Sequence, residues 1–285
     1  MIKYFIKEIR IYHWIKNLLL FVPLIFSKSF FVISTDIDII IAFICFSFAA
    51  SGIYIFNDIL DLESDRQHPQ KRNRPIASGK LPKNIAIGGM IILWIISVVM
   101  SFLFVNSKFF SIVVIYIIVN IVYSIILKHI VILDIIIVAL GYVLRIFAGS
   151  YAISVPLSNW ILITTMFISL FLAIGKRRYE FLYIPGDNKK HRQVLECYSK
   201  ELLDQMIAIS VTGTLMSYSL YTFLSSPTRK LMWTIPFVIY GLFRYMFLLY
   251  NKMGGARPER ELFTDKPLMI DIALWTIVSI LIIWR

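Results

Sequence analysis

The chain has 285 residues, 59% of them hydrophobic and 16% charged, with a mean hydropathy of +0.77. A soluble domain is typically about 25% charged and about 45–50% apolar, so the excess excludes a soluble globular fold, a disordered chain, a collagen-like repeat and a coiled coil. The net charge of +12 would suggest nucleic acid in a soluble protein; in short loops between apolar runs it fixes membrane orientation instead, and no nucleic-acid partner is expected.

The opening stretch, MIKYFIKEIRIYHWIKN, is basic and aromatic and lacks the apolar centre of a cleavable signal. Behind it, apolar runs bounded by Pro, Gly and charge predict spans at 17–33, 38–59, 84–105, 109–127, 131–152, 158–176, 203–224, 231–250 and 267–284. Each is near the roughly 20 residues a bilayer crossing needs. They are too long and too poorly alternating for strands, so the expected fold is all-α and integral to the membrane, with residues 1–285 forming a single domain. Lys28, Lys108, Arg229, Lys230 and Arg285 fall on one side of such a chain. Nearly all other Lys and Arg lie in the N-terminal tail and in loops at 60–83, 128–130, 175–200 and 251–266. That asymmetry predicts a cytoplasmic N-terminus and places both long loops on the cytoplasmic side of the cell membrane.

The second span runs into NDILDLESD, residues 57 to 65. If the helix continues, Asn57, Asp58, Asp61 and Asp65 share one face within about 100°, and Glu63 points away at about 240°. Carboxylates at a helix C-terminus oppose the macrodipole, and acidic groups at membrane depth are functional by default. Oxygen donors in this pattern suit Mg²⁺, which takes carboxylates together with substrate phosphates. Directly behind come Arg66, Lys71, Arg72, Arg74 and Lys80, with Pro69 and Pro75 stopping any helix and Gly79 allowing a tight turn. Those cations are candidates for the oxygens of a bound diphosphate, beside the simpler reading of orienting loop charge. Cys45 and Cys197 suggest neither a disulfide framework nor zinc, and His13, His68, His129 and His191 contain no i, i+4 pair.

The motif NDxxDxxxD followed by RPIASG (Asn57, Asp58, Asp61, Asp65, then Arg74, Pro75, Gly79) resembles that of the UbiA superfamily of intramembrane prenyltransferases. The resemblance implies a nine-transmembrane-helix bundle with its active site open to the cytoplasm, and Mg²⁺ on Asn57, Asp58, Asp61 and Asp65 as the catalytic set. Most members carry a second aspartate-rich motif after the sixth span. Here that loop holds Glu180 and Asp187 among Lys176, Arg177, Arg178, Lys189, Lys190 and Arg192, a basic cluster that wants a further anion more than a second metal. WIKN (Trp14 to Asn17), YSIILK (Tyr123 to Lys128), Leu133 with Asp134, GYVLRIFAG (Gly141 to Gly149), GKRRYE and GGARPE (Gly254 to Glu259) resemble the polyprenyl-phosphate phosphoribosyltransferase branch. That likeness implies transfer of 5-phosphoribose from phosphoribosyl diphosphate to a polyprenyl phosphate, on a lipid-linked pentose pathway serving cell-wall glycans.

On this reading Lys16, Asn17, Arg66, Lys71, Arg74, Tyr123, Lys128, Lys176 and Arg177 hold substrate phosphates or lie beside them, and Tyr179 and Glu180 contact ribose hydroxyls. Arg145 sits inside the fifth span, where a central Arg costs about 2.5–3.5 kcal/mol on insertion scales. It pairs either with an intramembrane acid or with a substrate phosphate. Asp134 is either an N-terminal dipole partner or a second contributor to the metal site. Asn120 and Asn159 are expected to bond other helices. The competing functions are an aromatic prenyltransferase, which needs a second carboxylate cluster, and a transporter of an anionic metabolite or lipid, which would show internal repeats.

Overall fold

A computed structural model describes residues 1–27, 33–67, 71–183, 193–251, 254–255, 261 and 264–284. Its elements in chain order are α1 (Ile2–Ile9), a 3-10 stretch (Ile11–Phe21), α2 (Val22–Phe26), α3 (Ile33–Leu60), α4 (Leu62–Gln67), α5 (Lys83–Phe104), α6 (Ser107–Ile125), α7 (Leu133–Ala152), α8 (Asn159–Tyr183), α9 (Lys200–Leu224), α10 (Ile235–Asn251) and α11 (Lys266–Trp284). Short 3-10 turns at Lys71–Asn73, Leu127–His129, Gln193–Cys197 and Arg229–Thr234 join them. There is no strand among the described residues.

Nine stretches among the described residues are long and apolar enough to cross a membrane, making this a multi-pass membrane protein. Seven lie within about three residues of the sequence expectation at each end. The other two are corrections. The first runs Ile2–Phe26, not 17–33, because α1, the 3-10 stretch and α2 follow one another as a single apolar stretch. Its frequent charges had disguised it as a tail, but Lys3 and Lys7 are exposed while Glu8 is turned inward. The sixth continues to Tyr183 rather than ending at 176, so Arg177, Tyr179 and Glu180 stand on helix, not on loop.

By its contacts the chain divides into two compact units. One comprises Met1–Val22, Phe31–Lys128 and Leu144–Val155; the other comprises Pro23–Phe30, His129–Val143 and Pro156–Arg285. In the first, Ile55, Ile76, Leu81, Ala86, Met90 and Leu93 are buried together against Tyr4, Phe5, Ile9, Leu62 and Trp94. Two of these, Ile76 and Leu81, belong to the loop after α4, which is thereby pinned under the end of α3. Gly79 takes φ +74 in that loop, the turn its position suggested. Helices here approach closely through small and hydroxylated residues. A Cβ on Gly149 of α7 would lie 2.0 Å from the Leu20 carbonyl oxygen. The Ser97 hydroxyl donates to the Cys45 carbonyl at 2.7 Å, and the Trp94 indole to that of Ala49 at 3.3 Å.

The second unit centres on Phe171, Ile174, Leu203, Ile207, Leu242 and Leu249, which fill the space between α8, α9 and α10. Tyr218 and Tyr221 extend this core toward Leu231 and Ile283. The Tyr218 hydroxyl accepts from the Trp275 indole at 2.9 Å and meets the Thr234 hydroxyl, so the buried phenol is satisfied.

Candidate active site

The backbone of α3 ends at Leu60, turns at Asp61 and resumes as α4. The i to i+4 bonds nevertheless persist, Asp61 N to Asn57 O at 2.9 Å and Asp65 N to Asp61 O at 2.7 Å. The acidic residues therefore keep their common face, and Glu63 points outward as expected, bonded to Arg66 at 3.0 Å. Asp58 and Asp65 are 3% and 1% exposed, whereas Asp61 is about 39% exposed. Asn57 is half-buried one position before Asp58.

Each of these carboxylates is already held by a cation. Arg74 donates through Nη1 to Asp58 Oδ1 at 2.8 Å and to Asp65 Oδ2 at 2.5 Å. Arg10 donates to Asp58 Oδ2 and lies over the Tyr54 ring, 5.5 Å from its centroid. Lys71 Nζ stands 3.9 Å from Asp65 Oδ1, and Lys128 Nζ stands 2.8 Å from Asp61 Oδ1. Burial pushes the Asp65 carboxyl above the ordinary aspartate range, outweighing the pull of Arg74 and Lys71. Among the described residues, no three His, Cys, Asp or Glu side chains converge as a ready metal cage. The donor chemistry still fits Mg²⁺, which uses one or two carboxylates and fills its shell with phosphate oxygens and water. Asp65 Oδ1, buried, without a hydrogen bond and met only by Lys71 at 3.9 Å, is the ligand atom least tied within the cluster.

Arg10 and Glu8 were not anticipated. Arg10 adopts φ 54, ψ 52 where α1 meets the 3-10 stretch. Left-handed backbone at a non-glycine costs on the order of 1–3 kcal/mol and persists where surroundings over-determine it. Here it turns the guanidinium toward Asp58. The only sequence signal was a charged residue four positions before Trp14, which read as tail.

Elsewhere in the first unit Arg145 is buried within α7. Its Nε donates to Asn17 Oδ1 at 2.8 Å and its Nη2 to the Tyr116 hydroxyl at 3.1 Å, with the guanidinium over the Phe46 and Tyr116 rings. Asn17 in turn donates to the Ser47 hydroxyl at 3.0 Å. Lys16 is electrostatically coupled to Tyr116. WIKN and the arginine of GYVLRIFAG are thus one assembly, which spacing alone did not show. Asn120 bonds its own helix, the Tyr116 carbonyl at 2.8 Å, rather than another. Tyr123 is half-buried on α6.

The second unit carries its own charged cluster. Arg177 donates to Asp134 Oδ2 at 2.6 Å and to Glu180 Oε2 at 2.7 Å. The Tyr198 hydroxyl donates to Asp134 Oδ1 at 2.7 Å and accepts from Ile132 N at 2.8 Å. Burial, followed by that bond to a carboxylate, raises the Tyr198 phenol well above its usual range. Arg178 donates to Asp204 Oδ1 at 2.6 Å and lies over the Tyr250 ring at 4.1 Å. Arg177 and Arg178 are therefore buried ion-pair partners of this unit's own acids, and Asp134 is bonded to Arg177 and Tyr198 at the start of α7. Lys176 is exposed, and Tyr179 is half-buried with its ring against Tyr183. Arg66, bonded to Glu63 on the outer face, is not gathered with Asp58 and Asp65. Lys28, His68, Pro69, Asp187, Lys189, Lys190, His191, Arg192, Arg285 and the ARPE part of GGARPE lie outside the described residues.

The sequence matches the UbiA prenyltransferase family over residues 20–264. It is 36% identical to the decaprenyl-phosphate phosphoribosyltransferase of Corynebacterium glutamicum, over 98% of this chain and 86% of that one. Identity to the decaprenyl-phosphate phosphoribosyltransferase of Mycolicibacterium smegmatis is 35%, over 95% and 89%. The fold is similar to that of a UbiA homolog from Archaeoglobus fulgidus bound to GPP and Mg²⁺, with a TM-score of 0.75 at 18% identity over 99% of this chain and 100% of that one. With the match reaching into both compact units and the acidic face at the end of α3 intact, the chain belongs to the UbiA prenyltransferase family.

Proposed function

We propose that the protein transfers 5-phosphoribose from phosphoribosyl diphosphate to a polyprenyl phosphate and releases diphosphate. The observation that carries this reading is the charge inventory around the acidic face. Four cations, Arg10, Lys71, Arg74 and Lys128, stand on three aspartates, and Lys16 and Arg145 add further positive charge in the same unit. Such a site suits a donor with phosphate at both ends and an acceptor that is itself anionic. The near full-length relatives named for this reaction support it.

Asp58, Asp61 and Asp65, with Asn57 beside them, would hold Mg²⁺; when bound, it neutralises charge on the diphosphate leaving group. Arg10 and Arg74 turn from the aspartates to diphosphate oxygens and hold the donor with its anomeric carbon exposed. The C1–O bond to diphosphate breaks with oxocarbenium character, and a polyprenyl phosphate oxygen forms the new bond to C1. That oxygen is ionised at neutral pH, so no side chain has to remove a proton. Lys16, Asn17, Tyr123, Lys128 and Arg145 are assigned to the phosphate groups, and Lys176, Tyr179 and Glu180 to the donor's sugar end. Residues 1–285 act as one catalytic domain in this reading, open to the cytoplasm with the N-terminus on that side, and the product enters a lipid-linked pentose pathway.

The test supplies detergent-purified protein with Mg²⁺, phosphoribosyl diphosphate and decaprenyl phosphate, following diphosphate release and the lipid's mass. A lipid heavier by one phosphoribosyl unit, lost on chelation, supports the assignment. A prenylated hydroxybenzoate formed from a prenyl diphosphate, with no product from the first mixture, overturns it.

A further inference from the structure

Glu8 lies outside every motif read from the sequence. It is 1% exposed, and neither carboxyl oxygen has a hydrogen-bond partner. A buried carboxylate without donors is costly and rare in a native fold. Its neighbours explain the placement. The Glu8 carboxyl faces that of Asp58, with Arg10 and Arg74 in electrostatic range. The choice of face on α1 is specific, since Lys3 and Lys7 of the same short helix are exposed.

Glu8 and Asp58 face Arg10 and Arg74, and Asp65 faces Arg74 and Lys71. An arriving diphosphate draws the guanidiniums to its own oxygens, because phosphate accepts bidentate arginine bonds as readily as carboxylate does. Glu8 and Asp58 are then two adjacent carboxyl groups with no guanidinium held against them. Adjacent buried carboxyl groups freed of guanidinium are oxygen donors of the kind a divalent cation takes, beside phosphate oxygens and water.

We propose that Glu8 is a divalent-cation ligand of the diphosphate-loaded site, a carboxylate supplied by α1 in addition to those of α3 and α4. This rests on the reading of Asp58, Asp61 and Asp65 as the metal-holding residues. It assigns the N-terminal helix a direct part in metal affinity.

The experiment measures Mn²⁺ binding by the EPR signal of free Mn²⁺, on full-length protein in detergent with inorganic diphosphate present. Wild type, Glu8→Gln, Glu8→Asp and Asp61→Asn are compared, each with its melting temperature. Glu8→Gln is expected to weaken Mn²⁺ at least tenfold while melting at or above the wild-type temperature, since an amide at position 8 can donate to Asp58. Glu8→Asp, which keeps the charge but shortens its reach, is expected to weaken Mn²⁺ several-fold and serves if the glutamine variant fails to fold. Wild-type affinity in both Glu8 variants, with binding lost in Asp61→Asn, overturns the role of Glu8 alone. Absence of Mn²⁺ binding in wild type overturns the metal reading and this inference together.

Discussion

Lys128 Nζ lies 2.8 Å from Asp61 Oδ1, joining side chains 67 positions apart in the sequence. Both are partly exposed, so the pair contributes about 0–1 kcal/mol to stability. Its value lies in what it does to the site, where it ties the end of α6 to the most accessible carboxylate of the acidic face. Lys128→Met is therefore expected to leave the melting temperature nearly unchanged and to raise KM for phosphoribosyl diphosphate at least tenfold. Asp61→Ala is expected to abolish turnover in protein that still folds. Steady-state kinetics beside a thermal melt separates the two effects, and near wild-type turnover in Asp61→Ala would remove that residue from the catalytic set.

Every motif aspartate is paired with a cation, and that arrangement predicts an order of binding. A divalent ion arriving alone has to displace Arg74 from Asp58 and Asp65, leaving a guanidinium without a counter-ion. Diphosphate gives Arg10 and Arg74 new partners. Mn²⁺ affinity is thus expected to rise at least tenfold when inorganic diphosphate is added, and activity to vanish with a chelator and return with Mg²⁺. Titration calorimetry with and without diphosphate checks this; equal affinities would mean that Arg74 does not compete with the metal.

The helices and the acidic face were legible because each depends on local pattern. Apolar runs set the spans, and the four-residue steps from Asn57 to Asp61 to Asp65 survive the turn after Leu60. What stayed hidden depended on chain brought in from afar. Arg10 reaches Asp58, Arg145 reaches Asn17 and Arg177 reaches Asp134, and no periodicity links those positions. The first span was misplaced because charges that face into the protein and charges that face out look alike in a one-dimensional reading. Arg177 was assigned to substrate phosphate on its position in a basic stretch; what that position did not show is that α8 continues to Tyr183 and that the guanidinium bonds Asp134 and Glu180.

Arg145 serves two neutral acceptors, Asn17 Oδ1 and the Tyr116 hydroxyl, within the protein interior. Removing the donor strands both, at about 1–3 kcal/mol for each buried group left unsatisfied. Arg145→Leu is therefore expected to lower stability by a few kcal/mol even in the absence of substrate. Arg145→Lys retains charge without the planar fork and should fall between. A double-mutant cycle with Asn17→Ala, read by denaturation in detergent, should show strong coupling; additive losses would mean that the hydrogen bond contributes little.

Gly149 meets the Leu20 backbone where a Cβ would sit 2.0 Å from the carbonyl oxygen. Backbone cannot rotate away as a side chain can, so Gly149→Ala has to push α7 from the first span. Small-to-large changes at packed contacts typically cost about 1–3 kcal/mol or more. The melting temperature of Gly149→Ala should fall clearly, whereas Gly88→Ala, with open space around its Cβ position, should not.

The Tyr198 phenol supplies a test by pH. Its ionisation in the folded protein is pushed up by burial and by the Asp134 carboxylate that accepts its proton. Above about pH 10 an unfolded tyrosine loses its proton while Tyr198 in the fold keeps it. The unfolded state then binds fewer protons, so stability falls as pH rises through that window, and the contribution is fully present below it. Tyr198→Phe should remove one proton's worth of this slope. At neutral pH it should also destabilise, because Ile132 N and Asp134 Oδ1 lose their shared partner, by about 1–3 kcal/mol per buried group. Melting curves of wild type and Tyr198→Phe from pH 7 to roughly pH 11 should therefore converge as pH rises. Parallel curves would mean that the phenol ionises alike in both states and that its bond to Asp134 has no hold on the proton.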